Sequence, residues 1–447
     1  MDSSLPDRVV TDPDVARTYG VDHSPGAVAP EAFTVVRARD RADVVEVLQY
    51  AAAHRTPVVT QGARTATTGA AVALEGGIVL NTEAINQVEV DPVERIAVVG
   101  PGVVNGDLKS QLTAYGLAYP PDPASSGSCT IGGNIATNAG GLCCVKYGVT
   151  ADYVRGLEVV LAGGEVMRTG RRTAKGVTGY DLTGLFVGSE GTLGVVTEAV
   201  LRLIPAPDPP LTVLAVFDTL EATLAGVTAL REQRHTPSLI ELLDGPSVAA
   251  IQDYGDYGFP AGAEGVLLVQ SDRVGHAHED VMAYADALTS AGATDVAVAD
   301  DRAEADLLME GRRALNPALE ARGSRLIEDV CVPVGRLGDL VRAVHEIATR
   351  QGLEATCSGH AGDGNLHPCF FFDQDDAAQV AAAQAAFGEV VEAAWSLGGT
   401  LTGEHGVGTL KAPWLERELG AAEVARQRAL KALFDPLGIM NPGRVFG

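Results

Sequence analysis

The sequence predicts an α+β protein of two or three domains, and three observations carry that reading. Its 447 residues exceed what one hydrophobic core accommodates. Strand-like and amphipathic helical runs are mixed irregularly along it, without the regular alternation of a parallel α/β fold. The stretch Ile204-Pro-Ala-Pro-Asp-Pro-Pro210 places four prolines in seven residues, and the strand-and-helix pattern restarts after it.

Taken in order, FTVVRA (33–38) reads as a strand, ADVVEVLQYAAAHR (42–55) as an amphipathic helix and PVVTQG (57–62) as a second strand. The β-rich stretches GGIVLNTE, VEVDPVERIAVVG and GLEVVLAGGEVMRTG follow, separated by glycine-rich turns. Beyond the prolines come strand TVLAVF, a helix near Leu220 to Arg234, strand GVLLVQS and a helix over roughly His278 to Ala291. That order predicts a second α+β domain with an antiparallel sheet. A helix around Gln379 to Leu397 and a glycine-rich stretch then lead to ALKALFDPLGIMNPGRVF. There is no internal repeat and no low-complexity tract.

Hydrophobic residues make up 46% and charged residues 20%, the balance of a folded chain and not a disordered one. A formal charge of −25 argues against a nucleic-acid surface, while leaving room for a local basic pocket. The N-terminus carries early acids and no apolar h-region, so it does not read as a signal peptide. No apolar run is long enough to span a bilayer. A cytoplasmic protein is expected, at most peripheral at the inner face of a membrane. Cys129, Cys143, Cys144, Cys331, Cys357 and Cys369 form no CxxC pair and read as free thiols. Nothing in their spacing would hold an iron–sulfur cluster on this chain.

Four glycine-dense stretches lie within the first two hundred residues: QGARTATTGAA, VGPGVVNG, IGGNIATNAGG and VGSEGTLG. Glycine lets a backbone approach a ligand closely, and successive N–H groups in such loops form nests for phosphate oxygens. Several such loops suit a long cofactor with a pyrophosphate. The run Gly100-Pro-Gly102 invites a dinucleotide fingerprint, but its third glycine falls at Gly106 and Pro101 sits inside the turn, so it reads as a structural turn.

The stretch TIGGNIATNAGGLCCVKYGVTADYVRGLEVVLAGGEV resembles the flavin-binding core of the vanillyl-alcohol-oxidase superfamily. It is most similar to the branch holding the glycolate oxidase FAD subunit, D-lactate dehydrogenase and D-2-hydroxyglutarate dehydrogenase. PPDP at 120–123 and TGYDLTGLFVGSEGTLGVVTEAVLRL follow the same family in order and spacing. The resemblance implies a two-subdomain FAD-binding domain over residues 30–207, after an N-terminal extension (1–29). It further implies a substrate (cap) domain over 208–402, and a segment 403–447 that packs back on the flavin domain.

The same resemblance assigns the pyrophosphate loop to Gln61, Gly62, Ala63, Arg64, Thr65, Thr68, Gly69 and Ala70. Arg64 stands where the family usually has glycine, and Gln61 where it commonly has arginine. A positive φ would strain Arg64, yet its guanidinium could pair with the pyrophosphate. Further flavin contacts are implied at Pro121 and Asp122, and at Thr130, Gly133, Asn134, Thr137, Gly140 and Gly141. Glu190, Gly194, Val196 and Asn441 complete the set. The loop holds no histidine, which points to non-covalent FAD.

The second half carries Gly359-His360-Ala-Gly-Asp-Gly-Asn-Leu-His367 and Gly403-Glu404-His405-Gly-Val-Gly408. Two imidazoles that a glycine-rich turn can fold together, with one carboxylate, make a catalytic site for zinc or manganese from His360, His367 and Glu404. The bland alternative is hydrogen bonding within a turn-rich core; the family's matching residues hold a metal. His405 is the candidate general base, since imidazole titrates near neutrality and a hydride can leave only as the hydroxyl proton is removed. Arg312 is the candidate for the substrate carboxylate, with Arg313 the alternative. The 2-hydroxyglutarate enzymes place a lysine at the position of Ile327 and an asparagine at that of Cys369.

The resulting expectation is FAD-dependent oxidation of a small 2-hydroxy acid, glycolate or D-lactate, with D-2-hydroxyglutarate as the alternative. A flavin-binding structural subunit and a non-redox metal hydrolase stand as readings of other classes. Electrons must pass to a separate acceptor: an iron–sulfur subunit, a quinone or an electron-transfer protein. A homodimer is one expected assembly.

Overall fold

The computed structural model describes residues 6–260 and 262–446. The chain divides into two compact units. Of the described residues, unit 1 takes those up to Gly140, Val149–Ala206 and those from Glu404 onward; unit 2 takes Gly141–Gly148 and Pro207–Gly403.

Unit 1 opens with strand β1 (Thr34–Arg37), β2 (Val58–Gln61) and β3 (Ile78–Asn81), a parallel sheet in the order β1-β3-β2. The helix Arg41–His54 connects β1 to β2. Asp40 caps it by accepting from the Asp43 amide at 3.0 Å, and Arg55 ends it at φ 53°. Its buried Val44, Val47, Leu48 and Ala51 recur at three- and four-residue spacing, the stripe that packs on β1 and β3.

A second sheet holds β4 (Val88–Asp91), β5 (Ile96–Val99), β7 (Val154–Val160), β8 (Val166–Gly170) and β9 (Val195–Arg202), antiparallel in the order β4-β5-β9-β7-β8. The short strands β6 (Leu117–Ala118) and β10 (Ile204–Pro205) pair with each other. Because β5 belongs to an antiparallel sheet, Gly100-Pro-Gly102 opens no dinucleotide fold. A Cβ on Gly100 would lie 2.1 Å from the Ile85 carbonyl oxygen, so close backbone approach requires the glycine.

Unit 2 is built on an antiparallel sheet of β11 (Leu211–Phe217), β12 (Leu239–Asp244), β13 (Gly265–Ser271), β14 (Asp295–Val298), β15 (Arg325–Ile327), β16 (Val330–Cys331), β17 (Glu354–His360) and β18 (Asn365–Phe371). The order is β14-β11-β13-β12-β17-β18-β15, with β16 also on β18. One face buries Val213, Ala215, Ile240, Leu242, Leu267 and Phe370 in a core with helices Leu220–Arg231, Ala277–Ser290, Leu337–Gln351 and Ala377–Ser396. Removing a ring such as Phe370 to alanine costs about 3–5 kcal/mol at such a site. The opposite face carries Leu239, Leu243, Val266 and Leu268 against helices Gly245–Tyr254 and Glu310–Ala321. Strand alternation puts Glu241, between Leu239 and Leu243, on this second face.

Two boundaries differ from the sequence expectation. Residues 1–29 were expected as an extension, but their described part belongs to unit 1: Val9 bridges Val36, and the Ala73 amide donates to the Gly20 carbonyl at 3.0 Å. Residues 141–148, expected within the flavin domain, belong to unit 2. There Leu142 packs in the apolar cluster under the second face, and Tyr147 Oη donates to Asp272 at 2.6 Å. Among the described residues no helix is long and apolar enough to cross a membrane.

Candidate active site

In unit 1 the loop after β2 is held from several directions. Gln61 Nε2 donates to the carbonyls of Tyr19 (2.8 Å) and Ala71 (2.6 Å), and Asn441 Nδ2 donates to those of Ala70 (3.0 Å) and Glu190 (2.7 Å). The Thr68 carbonyl accepts from the amides of Thr409 (2.9 Å) and Leu410 (3.1 Å). Arg64 has φ 62°, the left-handed conformation that its place in a glycine-type pattern predicts, and its guanidinium stacks 4.5 Å above the Tyr19 ring. Ala63 and Thr65 flank it in the loop, which is half-buried there. A Cβ on Gly62 would sit 2.2 Å from Thr130 Oγ1, so this loop abuts the start of the helix Ile131–Thr137, and Gly69 turns it at φ 83°.

Thr130 caps that helix by accepting from the Gly133 amide at 3.3 Å, and Thr137 Oγ1 donates back to the Gly133 carbonyl. Asn134 Oδ1 accepts from Asn105 at 3.0 Å, and Asn105 also donates to the Pro121 carbonyl. Asp122 is paired with Lys109. Gly194 lies where a Cβ would come 2.6 Å from Val159, and Val196 pairs with Val159 in the sheet. Gly140 closes a segment of unit 1, whereas Gly141 falls in unit 2.

Glu190 is buried at φ 50°, and its carboxylate accepts from the amides of Val407 (2.7 Å) and Gly408 (2.8 Å). Burial pushes its pKa up to about 7, against the opposing pull of those two N–H groups. Arg64 Nη1, Gln61 Oε1 and Asn441 Oδ1 are buried with no hydrogen-bond partner among the described residues. An isolated buried guanidinium N–H is costly, and a pyrophosphate oxygen is the acceptor it suits. The loop therefore fits a phosphate-bearing cofactor.

The histidines are placed by the β17–β18 hairpin of unit 2. His360 ends β17 and Asn365 begins β18, so Ala361-Gly-Asp-Gly364 forms the turn, with Gly364 at φ 92°. His367 is opposite Ser358, two residues before His360, so both imidazoles leave the same face. Their ring centroids are 5.2 Å apart at 81°, and a ligand nitrogen of each lies within 4.8 Å of the other.

A carboxylate backs each ring. Glu241, directly across from His360 on β12, accepts from His360 Nδ1 at 2.5 Å through Oε1 and from Arg312 Nε at 2.7 Å through Oε2. Burial raises the Glu241 pKa, but the charges of His360 and Arg312 outweigh it and hold the carboxyl below its usual range. Asp329, fully buried, accepts from Asn365 Nδ2 (2.7 Å), Thr402 Oγ1 (2.8 Å) and the Gly403 amide (3.0 Å), and its Oδ1 lies 3.8 Å from His367 Nδ1. Carboxylates behind metal-ligating imidazoles orient the rings and fix their tautomers. Two such histidines on one face fit a divalent cation.

Glu404 and His405 follow Gly403 in the chain as the first residues of unit 1's last segment; His405 Nε2 and Glu404 Oε1 are 3.7 Å apart. The Asp329 bonds to Thr402 and Gly403 hold the end of the preceding segment within unit 2. Arg313 pairs at the surface with Asp306, 3.0 Å away, while Arg312 is largely buried. Glu241 and Asp329 were not singled out from the sequence. For Glu241 the available signal was a carboxylate flanked by the apolar Leu239, Ile240, Leu242 and Leu243, all of them buried.

The family described as FAD linked oxidases, C-terminal domain, matches residues 207–445, and the FAD binding domain matches 33–170. Glycolate oxidase subunit GlcD of Bacillus subtilis is 42% identical over 92% of this chain and 88% of its own length. D-lactate dehydrogenase of Archaeoglobus fulgidus is 36% identical over 96% and 95%, and D-2-hydroxyglutarate dehydrogenase of Stutzerimonas stutzeri 31% over 99% and 96%. The solved structure of p-cresol methylhydroxylase shares the fold at TM-score 0.79 and 20% identity, over 98% of this chain and 94% of that one. Matched over 92% of its length by a relative 42% identical to it, and over residues 207–445 by the family itself, the chain belongs to the FAD-linked oxidases.

Proposed function

We propose that this enzyme oxidises a short 2-hydroxy acid, glycolate or D-lactate, to the 2-oxo acid. One observation carries the reading: Glu241 holds both His360 and Arg312, so a carboxylate-binding guanidinium lies beside an imidazole suited to a cation. The names of the relatives, glycolate oxidase subunit and D-lactate dehydrogenase, support the same substrate class.

Gln61, Arg64, Thr130, Glu190 and Asn441 would hold FAD, and His360, His367 and Glu404 a zinc or manganese ion. When bound, the flavin supplies a two-electron acceptor and the cation stabilises negative charge on the substrate oxygen. Arg312 would pair with the substrate carboxylate and so orient the Cα–H bond. His405 would take the hydroxyl proton as the hydride leaves Cα, which balances the loss of one proton and one hydride.

Ile327 favours a short monocarboxylate, because its apolar side chain supplies no cation to a second, buried carboxylate. D-2-hydroxyglutarate remains the second reading, favoured by the 31% identical relative of that name. Reoxidation would fall to a separate acceptor, an iron–sulfur subunit, quinone or electron-transfer protein, with the chain in the cytoplasm or peripheral at a membrane's inner face. An anaerobic panel of glycolate, both lactates and both 2-hydroxyglutarates, followed as bleaching of the flavin bands, tests the proposal. A flavin that no 2-hydroxy acid bleaches would indicate a structural subunit instead; a protein without flavin absorption would return the metal-hydrolase reading.

A further inference from the structure

We propose that Glu241 is a bridging residue that positions the metal ligand and the substrate-binding arginine together. The inference rests on the reading of His360 as a cation ligand and Arg312 as the carboxylate anchor. Glu241 is fully buried on the central strand β12, where it shares no edge with solvent. A lone carboxylate there would be strongly disfavoured, so a buried Glu241 needs both of its partners. Both of its oxygens are occupied by groups that the reaction needs: His360 Nδ1 at 2.5 Å and Arg312 Nε at 2.7 Å.

Each bond fixes a different degree of freedom. An ionised carboxylate can only accept, so His360 must carry its proton on Nδ1, which makes Nε2 the ligand nitrogen. On the other oxygen, the Nε bond sets the plane of the Arg312 guanidinium, and with it the direction in which the terminal N–H groups meet a carboxylate. The origins of the two partners are independent. His360 comes from the β17–β18 hairpin and Arg312 from the helix Glu310–Ala321, so the two elements are registered to one another through this side chain. The cross-strand pairing of Glu241 with His360 makes that register a property of the sheet itself.

Glutamine at 241 keeps the shape but offers one acceptor and one NH2 donor. It can satisfy His360 or Arg312, and its amide must face an N–H of the other. The decisive measurements are manganese titration of the metal-stripped, flavin-loaded protein, and KM and kcat for glycolate and D-lactate, in wild type and Glu241→Gln. The expected result is cation affinity weakened on the order of 10- to 100-fold together with a raised KM, at wild-type flavin content. A folded Glu241→Gln with wild-type cation affinity and KM overturns the proposal, and so does a variant in which only one of the two changes, because a bridge must move both.

Should that variant fail to fold, Glu241→Asp, which keeps the charge and withdraws it by one methylene, is judged on the same two readouts. Long-range nitrogen–proton correlation of histidines in the metal-free wild type needs no variant: Nδ1–H at His360 is expected, and Nε2–H overturns the proposal. A wild-type protein that binds no cation sinks the parent reading and this inference with it. A wild type that binds manganese beside an unaffected Glu241→Gln sinks this inference alone.

Discussion

Ile327 and Cys369 face each other as direct partners across the β15–β18 pair, on the sheet face that also bears His367. Burial pushes the Cys369 thiol up to about 12, so it stays neutral, and Ile327 is apolar and half-buried. The pair offers no charge to the far end of a substrate. Wild type should therefore prefer glycolate or D-lactate over D-2-hydroxyglutarate in kcat/KM with an artificial acceptor. Ile327→Lys should raise the ratio for 2-hydroxyglutarate over glycolate by about 10-fold or more, since a charged hydrogen bond contributes about 1.5–3 kcal/mol. An unchanged ratio would place the distal carboxylate elsewhere, with Arg325 on the same strand the next residue to test.

His405→Ala should slow flavin reduction on the order of 10²–10⁴-fold, the range for removing a positioned acid–base group. Flavin content should survive, because the neighbouring hydrogen bonds to Glu190 use the backbone of Val407 and Gly408 and no side chain of 405. Stopped-flow reduction at a wild-type rate would remove His405 from the proton transfer.

Dialysis against a chelator should abolish substrate-dependent bleaching while leaving the flavin spectrum, and one equivalent of zinc or manganese per chain should restore it. Two imidazoles and a carboxylate must be deprotonated to bind, so affinity should fall as pH falls. Elemental analysis beside the assay is the check; full turnover in metal-free protein refutes the requirement.

Glu190 gives a pH signature of its own. Its pKa rises from 4.5 to about 7 on folding, so its contribution to stability is complete below 4.5 and is lost as pH rises through 7. Between those values wild type should lose up to about 3 kcal/mol of unfolding free energy relative to Glu190→Gln. Denaturant unfolding of the flavin-free protein at pH 5 and pH 8 measures the difference. Parallel pH dependence in the two proteins would mean that Glu190 titrates as it does when unfolded.

Much of the fold was legible because its elements obey local rules. The helix Arg41–His54 shows its stripe and its Asp40 cap in the sequence, and β11 and β13 are short, largely apolar runs rich in valine and leucine. The glycine loops were legible for the same reason, as was the strained place of Arg64. Glu241 was not, because what gives it meaning is a strand pairing across 119 residues. Nor was the membership of residues 141–148 legible: GLCCVKYG continues a glycine-rich motif in sequence, while Leu142 and Tyr147 find their partners in unit 2.

The hydrogen bonds from Asn441 to Ala70 and Glu190, with the Val58–Met440 bridge, have a consequence for biosynthesis. A ribosome making this chain delivers all of β11–β18 before it reaches the residues that finish the first sheet. Unit 2 can thus collapse while the loop after β2 still waits for Asn441. A fragment stopping at Ala206 would be translated without the segment that anchors this loop, so unit 1 is not separable by simple truncation.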